Sequence, residues 1–201
     1  MKKNKKIILA SRSPRRQALL RQIGIEFDVR ESGINEDEHQ YSSPVDHVLT
    51  LSKRKAAAVR SKVRNCIIIG ADTIVVCKGI ILGKPKDKQD AVAMLSLLSG
   101  RTHEVYTGFT ILDAKSGRSI SDYEVTKVTF RKLSRKEISA YVASESPMDK
   151  AGAYGIQDDY GAVFVERVEG CFYNVVGFPL TKFYIAMQKF GYREVHPGKS
   201  L

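Results

Sequence analysis

The chain has 201 residues, 43% of them hydrophobic, enough for one globular domain or two small, intimately packed lobes around a real core. Its formal net charge of +11 and pI near 9.6 suit an anionic partner, whether nucleic acid, anionic surface or phosphorylated metabolite. No apolar run approaches the ~20 residues needed to span a bilayer, and the three cysteines and four histidines lack metal-ligand or redox spacing, which argues against zinc and for reduced thiols in the cytoplasm.

Lys2, Lys3, Lys5 and Lys6 cluster at the start, but Ser11 and Arg12 interrupt the apolar run behind them too early for a secretory signal. Ile7-Ile8-Leu9-Ala10 predicts a strand running into Ser11-Arg12-Ser13-Pro14-Arg15-Arg16. Ser13 is a natural N-cap and Pro14 a natural first helical residue, so Arg15 and Arg16 fall in the first turn, beside the positive end of the helix dipole. Cations are normally unfavourable there. A bound anion, for which phosphate has the right geometry, accounts for the pair; a solvated Arg pair on a frayed helix start is the competing reading.

After Gly24, the alternation of Ile25, Phe27 and Val29 predicts a strand, followed by an acidic segment with Glu36, Asp37 and Glu38. Ser43-Pro44-Val45-Asp46 reads as a capping box opening a helix toward Val63, with Val45, Val48, Ser52, Ala56, Val59 and Val63 on its inner face. Lys55 lies about 65° from the centre of that face and Arg54 about 165° away, so Lys55 borders the interior and Arg54 faces water. Two apolar runs, Cys66–Ile69 and Ile74–Cys77, bracket the tetrad Gly70-Ala71-Asp72-Thr73. Lys78-Gly79 then turns the chain into a hairpin with Ile80-Ile81-Leu82.

Asp87 caps a helix with Ala91, Met94, Leu95 and Leu98 inside and Gly100 beyond its end. Strands around Glu104 to Leu112 and Ile120 to Phe130 meet at a Ser116-Gly117 turn, and Ser134 to Glu137 is a capping box for a helix to about Ala143. Short strands are expected near Ala162 to Val165 and Asn174 to Val176, then a helix from Pro179 toward Phe190 and a polar tail. Helices mixed with hairpins predict an α/β fold with a mixed sheet.

Asp72 is the sharpest chemical candidate, because a carboxylate between apolar runs needs a metal, a cation or a proton to compensate its burial; a turn aspartate bonded to nearby N–H groups is the plainer alternative. Gly83-Lys84-Pro85 is not a P-loop: three residues separate Gly79 from Gly83 where four are needed, and Pro85 stands where a hydroxyl belongs. Lys84 remains notable at a strand end. From Asp149 to Gln157, two glycines, two alanines and a tyrosine suggest a backbone-lined wall, with Gln157 offering the donor and acceptor that reading a base edge requires. A tight loop over the core is the alternative there.

In their order and spacing, Ser11 to Arg16, Glu36, Lys53-Arg54-Lys55-Ala56, Gly70-Ala71-Asp72-Thr73, Gly83-Lys84-Pro85, Leu98-Ser99-Gly100 and Asp149 to Gln157 resemble the Maf family of nucleoside triphosphate pyrophosphatases, also described as septum formation inhibitors. The resemblance runs from Ile7 to about Phe190. It implies a single domain over 1–201 with a twisted mixed sheet flanked by helices, in an elongated, two-lobed, ITPase-like fold with a central cleft, and a cytoplasmic homodimer. It implies cleavage of a nucleoside triphosphate to monophosphate and pyrophosphate with a divalent cation, Mg²⁺ or Mn²⁺. By the resemblance Asp72 is the general base, Glu36 and Asp72 hold the metal, and Ser13, Arg16, Lys55 and Lys84 serve the phosphates. Arg15, Thr73 and Gln157 are similar to the branch that takes dTTP and UTP, which implies a pyrimidine preference. Asp158-Asp159 departs from the glycine that often follows the glutamine. The competing class is a non-catalytic nucleic-acid-binding or division-regulating protein, which the charge permits and which would not require the Asp72, Glu36, Lys84 and Gln157 constellation.

Overall fold

The computed structural model describes residues 5–36, 41–157 and 160–192; Lys2 and Lys3, Asp37 and Glu38, Asp158-Asp159 and the tail beyond Tyr192 lie outside them. Ile7, Ile8 and Leu9, all buried, form β1 (Lys6–Leu9), which pairs in parallel with β2 (Asp28–Val29) on one side and β3 (Cys66–Cys77) on the other. The expected strand at Ile25 to Val29 is thus cut to two residues. Ile25 is instead buried, its N–H donating to the Leu20 carbonyl to close the preceding helix.

Among the described residues, seven strands form one mixed sheet in the order β2-β1-β3-β5-β6-β7, where β5 is Thr102–Asp113, β6 Ser119–Phe130 and β7 Val165–Glu169; β4 (Ile80–Leu82) pairs antiparallel with β3. The helices are α1 (Pro14–Gln22), α2 (Pro44–Arg60), α3 (Lys88–Leu98), α4 (Arg135–Ala143), α5 (Phe172–Val176) and α6 (Leu180–Phe190). Among the described residues no helix is long and apolar enough to cross a membrane. The chain divides into two compact units, Met1–Asp72 with Thr107–Glu124 and Gly177–Leu201, and Thr73–Tyr106 with Val125–Val176.

In the first unit, two glycines decide where α2 lies. A Cβ on Gly70 would come within 2.2 Å of the Ser52 carbonyl oxygen, and one on Gly108 within 2.5 Å of that of Val48, so the helix backbone rests directly on β3 and β5. Ser52 Oγ and Thr110 Oγ1 complete the contact at 2.8 Å. The inner face of α2 carries Val48, Leu51, Ser52, Lys55, Ala56 and Val59, so Lys55 is buried rather than bordering the interior. Arg54 is half-buried, contrary to the expectation that it faces water: its Nη2 donates to the Asn35 carbonyl at 3.2 Å, because the 32–36 segment crosses this side of the helix. The helix ends at Arg60, short of Val63, and its capping box is displaced, with Asp46 N–H donating to Ser43 Oγ while the Asp46 carboxylate accepts from Ser42.

In the second unit, Ala91, Met94, Leu95 and Leu98 of α3 pack with Ile138, Tyr141 and Val142 of α4 around Val128, Phe130, Tyr154 and Phe164. Lys78 and Gly79, both at positive φ, form the hairpin turn between β3 and β4, and Ser134 and Glu137 form the reciprocal capping box of α4. Of the two short strands expected late in the chain, the first is displaced to β7, which begins at Val165, and the second is replaced by α5. Tyr160–Phe164 is a 3-10 turn leading into β7, and Phe172–Val176 is helical because Asn174 turns inward, its Nδ2 donating to the Val105 carbonyl and to Thr126 Oγ1 at 2.9 Å each.

Candidate active site

The Gly70-Ala71-Asp72-Thr73 tetrad does not break the sheet: β3 runs unbroken through it, which removes the turn-aspartate alternative. Asp72 is 5% exposed and Lys55 7% exposed. A carboxylate this deep requires a partner, and the seating of α2 on Gly70 supplies one, since Lys55 lies one turn beyond Ser52. Lys55 Nζ donates to Asp72 Oδ1 at 2.7 Å and meets Glu36 Oε1 at 2.8 Å. Glu36 reaches this ammonium from the segment ahead of α2 and stays about half exposed, so the cluster is dry at Asp72 and wet at Glu36.

Ser13 caps α1 as expected, accepting from the Arg16 N–H at 3.4 Å, and the first turn carries no acidic side chain. Arg16 turns inward and is buried, donating from Nε to the Gly177 carbonyl and from Nη1 to the Ala71 carbonyl at 3.0 Å each, and to Ser11 Oγ at 3.2 Å. Burial pulls its guanidinium below the ordinary arginine value, an effect opposed by the negative charges of Asp72 and Glu36. The buried cation therefore braces the loop before α1 against the backbone beside Asp72. Arg15 is half-buried.

Composition and spacing gave no role to His47, yet its Nε2 lies 3.9 Å from Asp72 Oδ2. Burial lowers its pKa, with Asp72 and Glu36 opposing and Lys55 reinforcing the shift. The available signal was its separation from Lys55: eight residues, about two turns of one helix, leave both on the same face. Tyr41 covers the ring, with centroids 4.1 Å apart.

Thr73, Lys84 and Gln157 belong to the second unit, Thr73 half-buried and the other two exposed. There the Gly83-Lys84-Pro85 and Asp149 to Gln157 motifs are tied to each other, because the Gly152 N–H donates to the Gly83 carbonyl at 3.0 Å. Gly152 has φ +69°, and a Cβ there would meet Val75 Cγ2 at 2.9 Å, so only glycine fits. Lys150 Nζ holds Asp149 Oδ1 at 2.9 Å at the start of the segment.

Residues 6–190 match the model of the Maf-like protein family. The chain belongs to the Maf family. Curated relatives named dTTP/UTP pyrophosphatase include that of Carboxydothermus hydrogenoformans, at 47% identity over 93% of this chain and 100% of the relative, that of Bacillus anthracis, at 47% over 96% and 99%, and that of Acetivibrio thermocellus, at 48% over 92% and 96%. The fold is also loosely similar to a HAM1 protein from Coxiella burnetii, at TM-score 0.40 and 15% identity over 64% of this chain and 74% of that one, a likeness too slight to argue from.

The divalent cation expected of a Maf chain can be set against the donors present. Among the described residues no group of three or more His, Cys, Asp and Glu converges to hold a metal on protein ligands alone. Glu36 and Asp72 converge on one ammonium, however, and one or two carboxylates are what Mg²⁺ usually takes from a protein, phosphate oxygens and water completing its shell. The donor set fits a cation of that kind.

Proposed function

We propose that this Maf chain hydrolyses dTTP and UTP to the nucleoside monophosphate and pyrophosphate. Support comes from the curated relatives, similar at 47–48% identity over nearly their whole length. The observation that carries the reading is the buried Asp72 bound to Lys55, beside Glu36 and Arg16, in the first unit. A carboxylate there has one oxygen fixed by a cation and one left for chemistry.

Asp72 Oδ2 accepts the proton of the attacking water while Lys55 keeps Oδ1 and the carboxylate plane in place. The new P–O bond forms as the anhydride P–O bond breaks, and its electron pair leaves with pyrophosphate. The substrate brings about four negative charges, and cationic side chains aimed at them are the electrostatic stabilisation that phosphoryl transfer needs. In this reading Arg15, Lys55 and Lys84 supply those charges; Ser13 and Arg16 fix the loop entering α1. Glu36 and Asp72 would hold Mg²⁺ or Mn²⁺, which when bound neutralises phosphate charge and acidifies a bound water. Gln157 reads the base edge, and Arg15 and Thr73 contribute to the pyrimidine preference.

Pyrophosphate release from dTTP, UTP, CTP and 7-methyl-GTP, each with Mg²⁺, Mn²⁺ and Co²⁺, tests the proposal. Fastest turnover of dTTP and UTP is expected. A comparable rate with 7-methyl-GTP rejects the pyrimidine preference, and salt-dependent binding of polynucleotide with no pyrophosphate release rejects the enzyme in favour of a binding protein.

A further inference from the structure

Resting on that reading, we propose that His47 is a positioning residue, which orients the Asp72 carboxylate through its ring Nε2–H. The two ring nitrogens stand in different surroundings. Nδ1 is sealed from solvent with no hydrogen-bond partner among the described residues, whereas Nε2 faces Asp72 Oδ2 at 3.9 Å. A neutral imidazole has a single N–H. Stranding that N–H in the interior is the rarer and costlier arrangement, so the proton belongs on Nε2, where it points at the carboxylate.

The neighbouring acid does not compete for the ring. Asp46 is occupied at Oδ2 by the Ser42 N–H and hydroxyl and at Oδ1 by the Thr50 hydroxyl. Lys55 holds Asp72 Oδ1, so the oxygen facing His47 is the one that takes the proton from water. A movement of about 1 Å brings Nε2 and Oδ2 to ordinary hydrogen-bond distance. Oδ2 then accepts from His47 with one lone pair and keeps the other for water, and the Tyr41 ring limits how far the imidazole can turn away.

The test compares His47→Leu, His47→Gln and His47→Asn for kcat and KM with dTTP, with thermal unfolding as the check on folding. Gln extends its amide N–H toward the Nε2 position; Asn reaches only the Nδ1 position. The expected pattern is a kcat lowered about tenfold or more in the Leu and Asn variants, the scale of a small misplacement of a reacting group. KM stays within about twofold, and Gln recovers most of the rate. Full kcat in the Leu variant overturns the proposal, as does equal loss in Gln and Asn, which remains decisive if the Leu variant does not fold. The ¹⁵N shifts of labelled histidine give an independent reading: an Nε2–H tautomer at neutral pH is expected, and an Nδ1–H tautomer overturns the assignment. Absence of pyrophosphate release by the unaltered chain overturns the proposed function instead.

Discussion

Lys55 Nζ bridges Asp72 and Glu36, and only the Asp72 end of the bridge is buried. Removing either member of the buried pair therefore has unlike effects. Lys55→Met leaves a carboxylate in the interior with its cation gone and should cost about 3–5 kcal/mol. Asp72→Asn keeps the volume and a hydrogen-bonding oxygen for Lys55, so most of the stability stays while turnover falls to near background. Urea unfolding and dTTP turnover, measured on both variants, check this. Full turnover in Asp72→Asn would refute the base assignment.

Gly70 is where the fold sets the chemistry. An added methyl must displace the α2 backbone at Ser52, and Lys55 rides on the same helix. Gly70→Ala is expected to lose about 1–3 kcal/mol by overpacking, with a loss of kcat beyond what unfolding at the assay temperature explains. A Gly70→Ala protein with unchanged melting temperature and turnover would show that α2 yields without moving Lys55.

Much of this was legible in the sequence because the signals were local. Ser13-Pro14, Asp87 and Ser134 with Glu137 each set a helix start from side-chain chemistry within one turn, and each cap forms. Asp72 could be singled out because it interrupts apolar residues. Structure departs from local sequence signals where distant partners decide. Arg54 is covered by the Asn35 segment, and Asn174 reaches Val105 and Thr126 across the sequence. The inward turn of Arg16 toward the Gly177 and Ala71 carbonyls likewise depends on remote chain, and so does His47 meeting Asp72. No window of neighbouring residues contains those pairs.

The paired arginines of α1 should separate by experiment. Arg16 spends Nε and Nη1 on two backbone carbonyls and Ser11, and hydrogen bonds from a charged donor are worth roughly 1.5–3 kcal/mol each. Arg16→Ala is expected to lower the melting temperature as well as activity. Arg15→Ala is expected to lower kcat/KM for dTTP with a smaller fall in melting temperature. Equal thermal losses in the two would remove the distinction between a brace and a substrate contact.

Acid should loosen the second unit through His103. The ring is 2% exposed, bonds the Tyr154 hydroxyl at 2.8 Å through Nε2 and packs edge-on against Phe130, and burial lowers its pKa to about 4. The unfolded chain, with an ordinary value near 6.5, binds a proton that the folded chain refuses between about pH 6.5 and 4. Stability from this group is thus complete above about pH 6.5, falls as the pH drops through that window, and levels off below about 4, a total of about 3 kcal/mol. The carboxylates Asp113 and Glu137, whose pKa values are also lowered, lose their own contributions as the pH falls further, so the histidine must be isolated by difference. Urea midpoints from pH 7.5 to 4 should fall more steeply for the unaltered chain than for His103→Gln, whose amide keeps a polar partner for Tyr154 without titrating. Parallel curves for the two proteins would mean that His103 accepts its proton without opening the core.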